Sequence, residues 1–362
     1  MFFLKKFLSF MLLIIFFVST IKISANSQVK KYKPYDLNAK AAVVIDSRTK
    51  RILFDKNARE IMPMASTTKI LTSLVALKYG NIDKKFKISS HASSIRGSKV
   101  GYKQGEEISL RELLYGLMFK SGNDAAIAIA EGIAGSTEEF CKLMNEYAKE
   151  IGIFDSNFES PHGLDSQNHY STAYDLAILT SKTKEIEFFN ELSKTKQYCD
   201  TNFSRSYQNI NKILYMVPNA TGTKTGYTGQ AGKCLVSSFN MEDDNEIIVV
   251  VLNCTPRWKS SEWLYNYTKD NFDFKKLFSK NNIVVSEILE NGYILEGIVQ
   301  DDIIVPLTKN STEKISISVS DNIKNYKKEE IENLECLGTI KVYEGEEQIF
   351  IAPIINKNYK SM

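Results

Sequence analysis

Ser66 and Lys69, three positions apart, are the pair whose chemistry is easiest to name. They lie in Pro63-Met64-Ala65-Ser66-Thr67-Thr68-Lys69-Ile70-Leu71, and Leu74, Val75 and Leu77 continue the apolar pattern at helical spacing until Gly80. Residues i and i+3 share a helix face, so the hydroxyl and the amine can meet. A serine hydroxyl is a weak nucleophile until a base takes its proton, and a neutral lysine can be that base. The unpaired N–H groups of a first helical turn favour a developing negative charge. The chemistry indicated is nucleophilic attack by a base-activated serine. The string alone is weak, because S-x-x-K also begins at Ser19, Ser27, Ser181, Ser193 and Ser311, among others. Two later stretches lift Ser66 above them. Ser121-Gly122-Asn123 falls in a turn between two apolar helices, where Ser and Asn are also ordinary turn residues. Lys224-Thr225-Gly226 is the only K-T-G in the chain and precedes a strand-like run over residues 234–239.

The elements that must position these residues follow from local pattern. Residues 41–46 and 51–55 read as a strand hairpin leading into the Ser66 helix, and nucleophiles are held best on such rigid elements. Residues 82–107 are charged and irregular. Ser109-Leu110-Arg111-Glu112 has the form of a capping box and opens a helix with Leu113, Leu114, Leu117 and Met118 on its apolar face. Further helices are predicted from Asp124, over residues 137–151, from Ser171 and over residues 258–274. Two strands flank a loop at residues 240–245. Beyond about Phe278 short β-branched runs recur between turn and charged residues, which predicts a small β-rich domain.

With 362 residues, two domains are the prior, and 43% hydrophobic residues suffice for a large core. Lys5 and Lys6 precede an apolar run over residues 7–21, and Ser24-Ala25 offers a cleavage site, so residues 1–25 are expected to be an export signal. The run is short for a membrane span. The formal charge of +3 resides in that segment, which holds three lysines and no acid; the remainder is neutral. Nothing therefore favours nucleic acid or an acidic membrane surface. Five scattered cysteines without a C-x-x-C pair, and three histidines without ligand spacing, argue against zinc and against a disulfide framework. Cys234 and Cys254 lie in strand-like runs and are candidates to face each other. Neither a metal nor a cofactor is called for.

Taken in order, Ser66-x-x-Lys69, Ser121-Gly122-Asn123 and Lys224-Thr225-Gly226 follow the signature of penicillin-binding proteins and class A β-lactamases, with Gly in place of the Asp of the second motif. The phrases Met64-Ala65-Ser66-Thr67-Thr68-Lys69, Ser121-Gly122-Asn123-Asp124-Ala125-Ala126, Pro161-His162-Gly163-Leu164, Tyr170-Ser171-Thr172-Ala173-Tyr174-Asp175-Leu176 and Lys224-Thr225-Gly226-Tyr227-Thr228 resemble the serine-type D-Ala-D-Ala carboxypeptidases. The resemblance implies an α+β fold: an antiparallel sheet flanked by helices, with an all-helical lobe holding Ser121 and Asn123. The expected organisation is a signal at 1–25, a carboxypeptidase domain at 38–275 and a β-rich C-terminal domain at 279–355. It implies removal of the terminal D-alanine from peptidoglycan stem peptides through an acyl-enzyme on Ser66, and acylation by β-lactams.

The residue types suit that reaction. Lys69 must be neutral to accept the Ser66 proton, and desolvation together with the second cation Lys224 would lower its pKa. Ser121 can relay a proton to the leaving amine, and Asn123 can hold a substrate amide. Lys224 and the Thr225 hydroxyl suit a terminal carboxylate, and Gly226 lets a strand edge approach the substrate backbone. In the family the oxyanion sits on backbone N–H groups, here those of Ser66 and Tyr227. His162 reads as a loop-ordering residue and the Tyr227 side chain as packing or rim. The first alternative is a β-lactamase; class A enzymes use a Glu-activated water, and no E-x-x-L-N lies between Asn123 and Lys224. A second alternative is a non-catalytic wall-binding protein on the same scaffold. Residues 356–362 are polar, so no C-terminal membrane anchor is expected, and a secreted or wall-associated location follows.

Overall fold

A computed structural model describes residues 37–288, 294–321 and 334–359. The expected export signal lies outside them. The central element is a five-stranded antiparallel sheet in the order Ile52–Lys56, Ala39–Asp46, Glu246–Cys254, Gly232–Asn240, Ala220–Thr228. The N-terminal hairpin thus joins a meander formed some 170 residues later, as Val43 pairs with Val250. The strand carrying Lys224-Thr225-Gly226 lies at one edge.

Both faces of the sheet are covered, which is why these strands read as unbroken apolar runs. Ala41, Val43, Ile45, Val236, Ile248 and Val250 face a helical lobe. Ala42, Val44, Leu235, Val249 and Val251 pack with Leu264 and Tyr265 of the closing helix Arg257–Asn271. Cys234 and Cys254 fall in these two separate cores, and all five cysteines are free thiols. Strict alternation would leave residue 254 on the face of Leu252 and Cys234; Asn253, with φ 45°, interrupts it, and Cys254 turns to the opposite core.

In the lobe the helix Lys69–Tyr79 is buried from Lys69 to Ala76 and is surrounded by Leu110–Phe119, Asn123–Ala134 and Thr137–Glu150. Ser109 caps its helix, accepting from Glu112 N at 3.2 Å. The return half of the capping box is absent. The Glu112 carboxylate instead accepts from Ser204 N and Oγ and from Tyr207 Oη at 2.8 Å, tying the loop after residue 196 to the lobe. The stretch read as irregular contains a small ladder, Lys85–Lys87 against Glu107–Ser109.

After the closing helix the strand Phe272–Phe278 begins at once and pairs with Ile303–Thr308. The sequence-based boundary at residue 275 falls within this strand. The remaining strands form a second antiparallel sheet in the order Ile283–Ile288, Ile294–Ile298, Glu347–Asn356, Cys336–Glu344, Ile315–Asp321. Arg51 of the N-terminal hairpin reaches this region, donating to Glu344 Oε2 at 2.6 Å and to Pro306 O at 2.5 Å. Among the described residues no helix is long and apolar enough to cross a membrane, and no cluster of His, Cys, Asp or Glu could hold a metal ion.

Candidate active site

Ser66 lies in a 3-10 turn, Ala65–Thr68, that runs directly into the helix beginning at Lys69. Ala65 holds φ 52°, in the left-handed region that L-residues seldom occupy. The turn is buttressed from outside. Gly163 presses its backbone so closely that a Cβ there would lie 2.0 Å from Ala65 O. Thr68 Oγ1 donates to Ala65 O at 2.8 Å and is itself 2.9 Å from His169 Nε2. His169 Nδ1 accepts from Glu159 N at 3.0 Å, so its proton resides on Nε2 and points at Thr68.

Lys69 is fully buried, and the contacts of its Nζ are all short: Ser66 Oγ at 2.9 Å, Asn123 Oδ1 at 2.8 Å and His162 O at 2.7 Å. Its pKa is held well below the ordinary lysine value, first by burial and then by the Lys224 cation; Asp124 opposes the shift. The shift favours the neutral amine beside the Ser66 hydroxyl, and desolvation contributes more to it than charge. His162 contributes its main-chain oxygen, while its ring accepts from Leu164 N at 3.2 Å and is pushed down to about 3 by burial and by Lys69. It orders the loop as a neutral ring.

The turn between helices Leu110–Phe119 and Asn123–Ala134 brings in the second motif. Ser121 has φ 57°, a strained conformation of the kind that clusters at functional sites. Its Oγ accepts from Lys224 Nζ at 3.0 Å, and Lys224 also donates to Thr225 O at 2.9 Å. Lys224 is 1% exposed, and its pKa is lowered to about 7 by burial and then by Arg257. Asn123 is engaged at both ends of its amide, Oδ1 by Lys69 and Nδ2 to Arg96 O at 2.7 Å.

Two lysines, two serines and one asparagine, drawn from residues 66 to 224, therefore form two directly bonded groups: Ser66–Lys69–Asn123 and Ser121–Lys224. Thr225 and Gly226 continue along the edge strand, buried, and Tyr227 emerges 67% exposed at its rim. Gly226 meets the nucleophile turn itself: a Cβ would lie 2.9 Å from Met64 O and 3.2 Å from Ser66 N. The glycine expected to admit substrate backbone first serves to let strand and turn touch.

Sequence reasoning overlooked three contributors. Asp165, just past the Pro161-His162-Gly163-Leu164 phrase, accepts from Thr228 Oγ1 at 2.6 Å and from Gln230 N at 3.3 Å, clasping the loop to the end of the edge strand. Arg257 donates to Gly226 O at 2.7 Å and Cys234 O at 3.1 Å. A cation at a helix start works against the helix dipole, a signal that it is there for something else. The third is the segment carrying Arg96, whose main-chain oxygen holds Asn123 Nδ2.

A family model described as D-alanyl-D-alanine carboxypeptidase, Peptidase_S11, matches residues 27–255. D-alanyl-D-alanine carboxypeptidase DacF of Bacillus subtilis is 32% identical over 331 residues, which is 88% of this chain and 85% of the relative. DacA of Haemophilus influenzae is 30% identical over 84% of this chain and 81% of its own length. Among solved structures, penicillin binding protein 5 from Haemophilus influenzae superposes with a TM-score of 0.77 at 25% identity, covering 91% of this chain and 99% of its own. With the expected α+β architecture in place and a serine–lysine pair at its centre, this chain belongs to the D-alanyl-D-alanine carboxypeptidase family and is a serine-type carboxypeptidase of the penicillin-binding kind.

Proposed function

We propose that the chain removes the terminal D-alanine from peptidoglycan stem peptides by acyl transfer through Ser66. The observation that carries the assignment of roles is the fully buried Lys69 amine, 2.9 Å from Ser66 Oγ and depressed in pKa. Ser66 Oγ attacks the carbonyl carbon of the D-Ala-D-Ala bond while Lys69 Nζ takes its proton. The N–H groups of Ser66 and Tyr227 would receive the oxyanion, a reading supported by the close approach of Gly226, the residue before Tyr227, to Ser66 N. Ser121, held by Lys224, passes a proton to the leaving D-alanine nitrogen as the C–N bond breaks. Water then attacks the Ser66 ester, giving the shortened peptide and free Ser66. Lys224, the neighbouring Thr225 hydroxyl and Arg257, which is near enough to Lys224 to lower its pKa, would form the cationic end that suits a terminal carboxylate. Asn123 orients the substrate amide from the other wall.

The same site would be acylated by β-lactams. Because no E-x-x-L-N supplies a deacylating carboxylate, the adduct should persist, which disfavours the lactamase reading. The substrate class and the basic-then-apolar start at Lys5 and Lys6 support export by residues 1–25, with work outside the cytoplasmic membrane. Residues 38–275 would carry the reaction and 279–355 a separate β-rich domain.

The test uses labelled penicillin and a peptide ending in Lys-D-Ala-D-Ala, with wild-type protein and Ser66→Ala. Covalent label and released D-alanine are expected from the wild type and neither from the variant. Rapid penicillin turnover would identify a lactamase instead, and absence of both activities a binding protein.

A further inference from the structure

The second motif has a charged neighbour that the mechanism above leaves unused. Asp124 follows Asn123 in the first turn of the helix Asn123–Ala134 and is fully buried. Its carboxylate accepts from three consecutive main-chain N–H groups, those of Val100 at 3.0 Å, Gly101 at 2.8 Å and Tyr102 at 3.2 Å, and from Ala125 N at 3.0 Å. The segment it gathers is the one that holds Asn123. Asn123 N donates to Ser98 O at 2.8 Å and Asn123 Nδ2 to Arg96 O at 2.7 Å. With Nδ2 committed to Arg96 O, the amide can only present Oδ1 to Lys69. Gly122, which stands where the related motif has an acid, leaves room for this carboxylate. A Cβ there would lie 2.7 Å from Asp124 Oδ1 and 2.7 Å from Val100 Cγ2.

We infer that Asp124 is a positioning residue for the reaction: it folds residues 96–102 against the helix start so that the Asn123 amide is fixed with its oxygen on Lys69. It has a second effect at the same place. The charged and titratable groups facing Lys69 are Lys224 from the edge strand, His162 and His169 from the loop, and Asp124 from the helix start, of which Asp124 alone is an anion. The Asp124 anion raises the pKa of Lys69 against burial and Lys224, so its loss lowers that pKa further. The inference rests on the reading of Ser66 as nucleophile and Lys69 as base.

The experiment measures the acylation rate constant with labelled penicillin across pH, together with thermal melting, for wild type, Ser66→Ala, Asp124→Asn and Gly122→Ala. Asp124→Asn is expected to slow acylation by roughly 10- to 100-fold, the scale of a displacement approaching 1 Å. It should also move the acid limb of the pH profile to lower pH, which a purely structural role would not do. Gly122→Ala displaces the carboxylate but keeps its charge, so acylation should slow with the acid limb unmoved. If Asp124→Asn does not fold, Gly122→Ala decides the matter. Wild-type acylation and an unmoved limb in Asp124→Asn, or wild-type acylation in a folded Gly122→Ala, overturn the inference. Label retained by Ser66→Ala overturns the reading beneath it instead.

Discussion

Gly226→Ala tests whether the contact between edge strand and nucleophile turn governs the reaction. The added methyl would sit 2.9 Å from Met64 O, 3.1 Å from Ala65 Cβ and 3.2 Å from Ser66 N. None of these atoms belongs to a flexible side chain, so the backbone must yield. Non-bonded carbon atoms rest at about 3.5 Å or beyond, so strand and turn must part by roughly 0.5 Å. Overpacking of this kind costs about 1–3 kcal/mol. That lowers the melting temperature by several degrees in a chain of this size without unfolding it. The catalytic loss should be larger than the stability loss. A misplacement of about 1 Å can cost ~100-fold, and removal of one oxyanion donor costs ~100- to 1,000-fold. For half that displacement, with both proposed donors flanking the methyl, acylation is expected to fall about 10- to 100-fold. The assay is the second-order rate constant for labelled penicillin on folded protein, paired with a melting curve. Wild-type acylation in a folded variant would refute the reasoning, since strand and turn would then be free to separate at no cost to the reaction.

Two further outcomes follow from the charges. Lys224→Gln removes the cation that, after burial, most depresses Lys69, so the Lys69 pKa should rise. Lys69 serves as a base only above its pKa, so the acid limb of residual acylation should move to higher pH; a limb that stays in place refutes the coupling. His169 is buried neutral, with its pKa lowered from 6.5 to about 4, chiefly by desolvation. Between those values the unfolded chain binds the proton and the native one does not, so stability is complete above about pH 6.5 and declines as pH falls toward 4. The contribution is about 3 kcal/mol by linkage. Chemical denaturation at several pH values should show a flatter acid slope in His169→Gln, and an unchanged slope would exclude the histidine as its source.

The candidate nucleophile and base, Ser66 and Lys69, were legible in the linear sequence, whereas the side chains of Asp165 and Arg257 were not. Ser66 and Lys69 meet because i and i+3 share a face, and the K-T-G is unique in the chain; both are local facts, although the K-T-G lies inside a strand of its own, Ala220–Thr228, and not only ahead of one. The strands at 41–46 and 246–252 were legible too, because burial on both faces demands unbroken apolar runs. Main-chain groups were not legible, since no side chain records where a carbonyl oxygen will lie. The oxygens of His162 and Arg96, which fix Lys69 and Asn123, come from loops brought close only by the packed lobe. Glu112 fits a capping box by spacing, yet its carboxylate goes to Ser204 and Tyr207, about 90 residues later. In the same way the β-branched runs of the C-terminal region announce strands but leave their order open, because pairing between Ile294–Ile298 and Glu347–Asn356 is settled by long-range register. Local spacing thus determined which groups could react. The depressed amine and the aimed amide were decided by the tertiary structure, because desolvation and main-chain hydrogen bonds arise only where distant segments pack together.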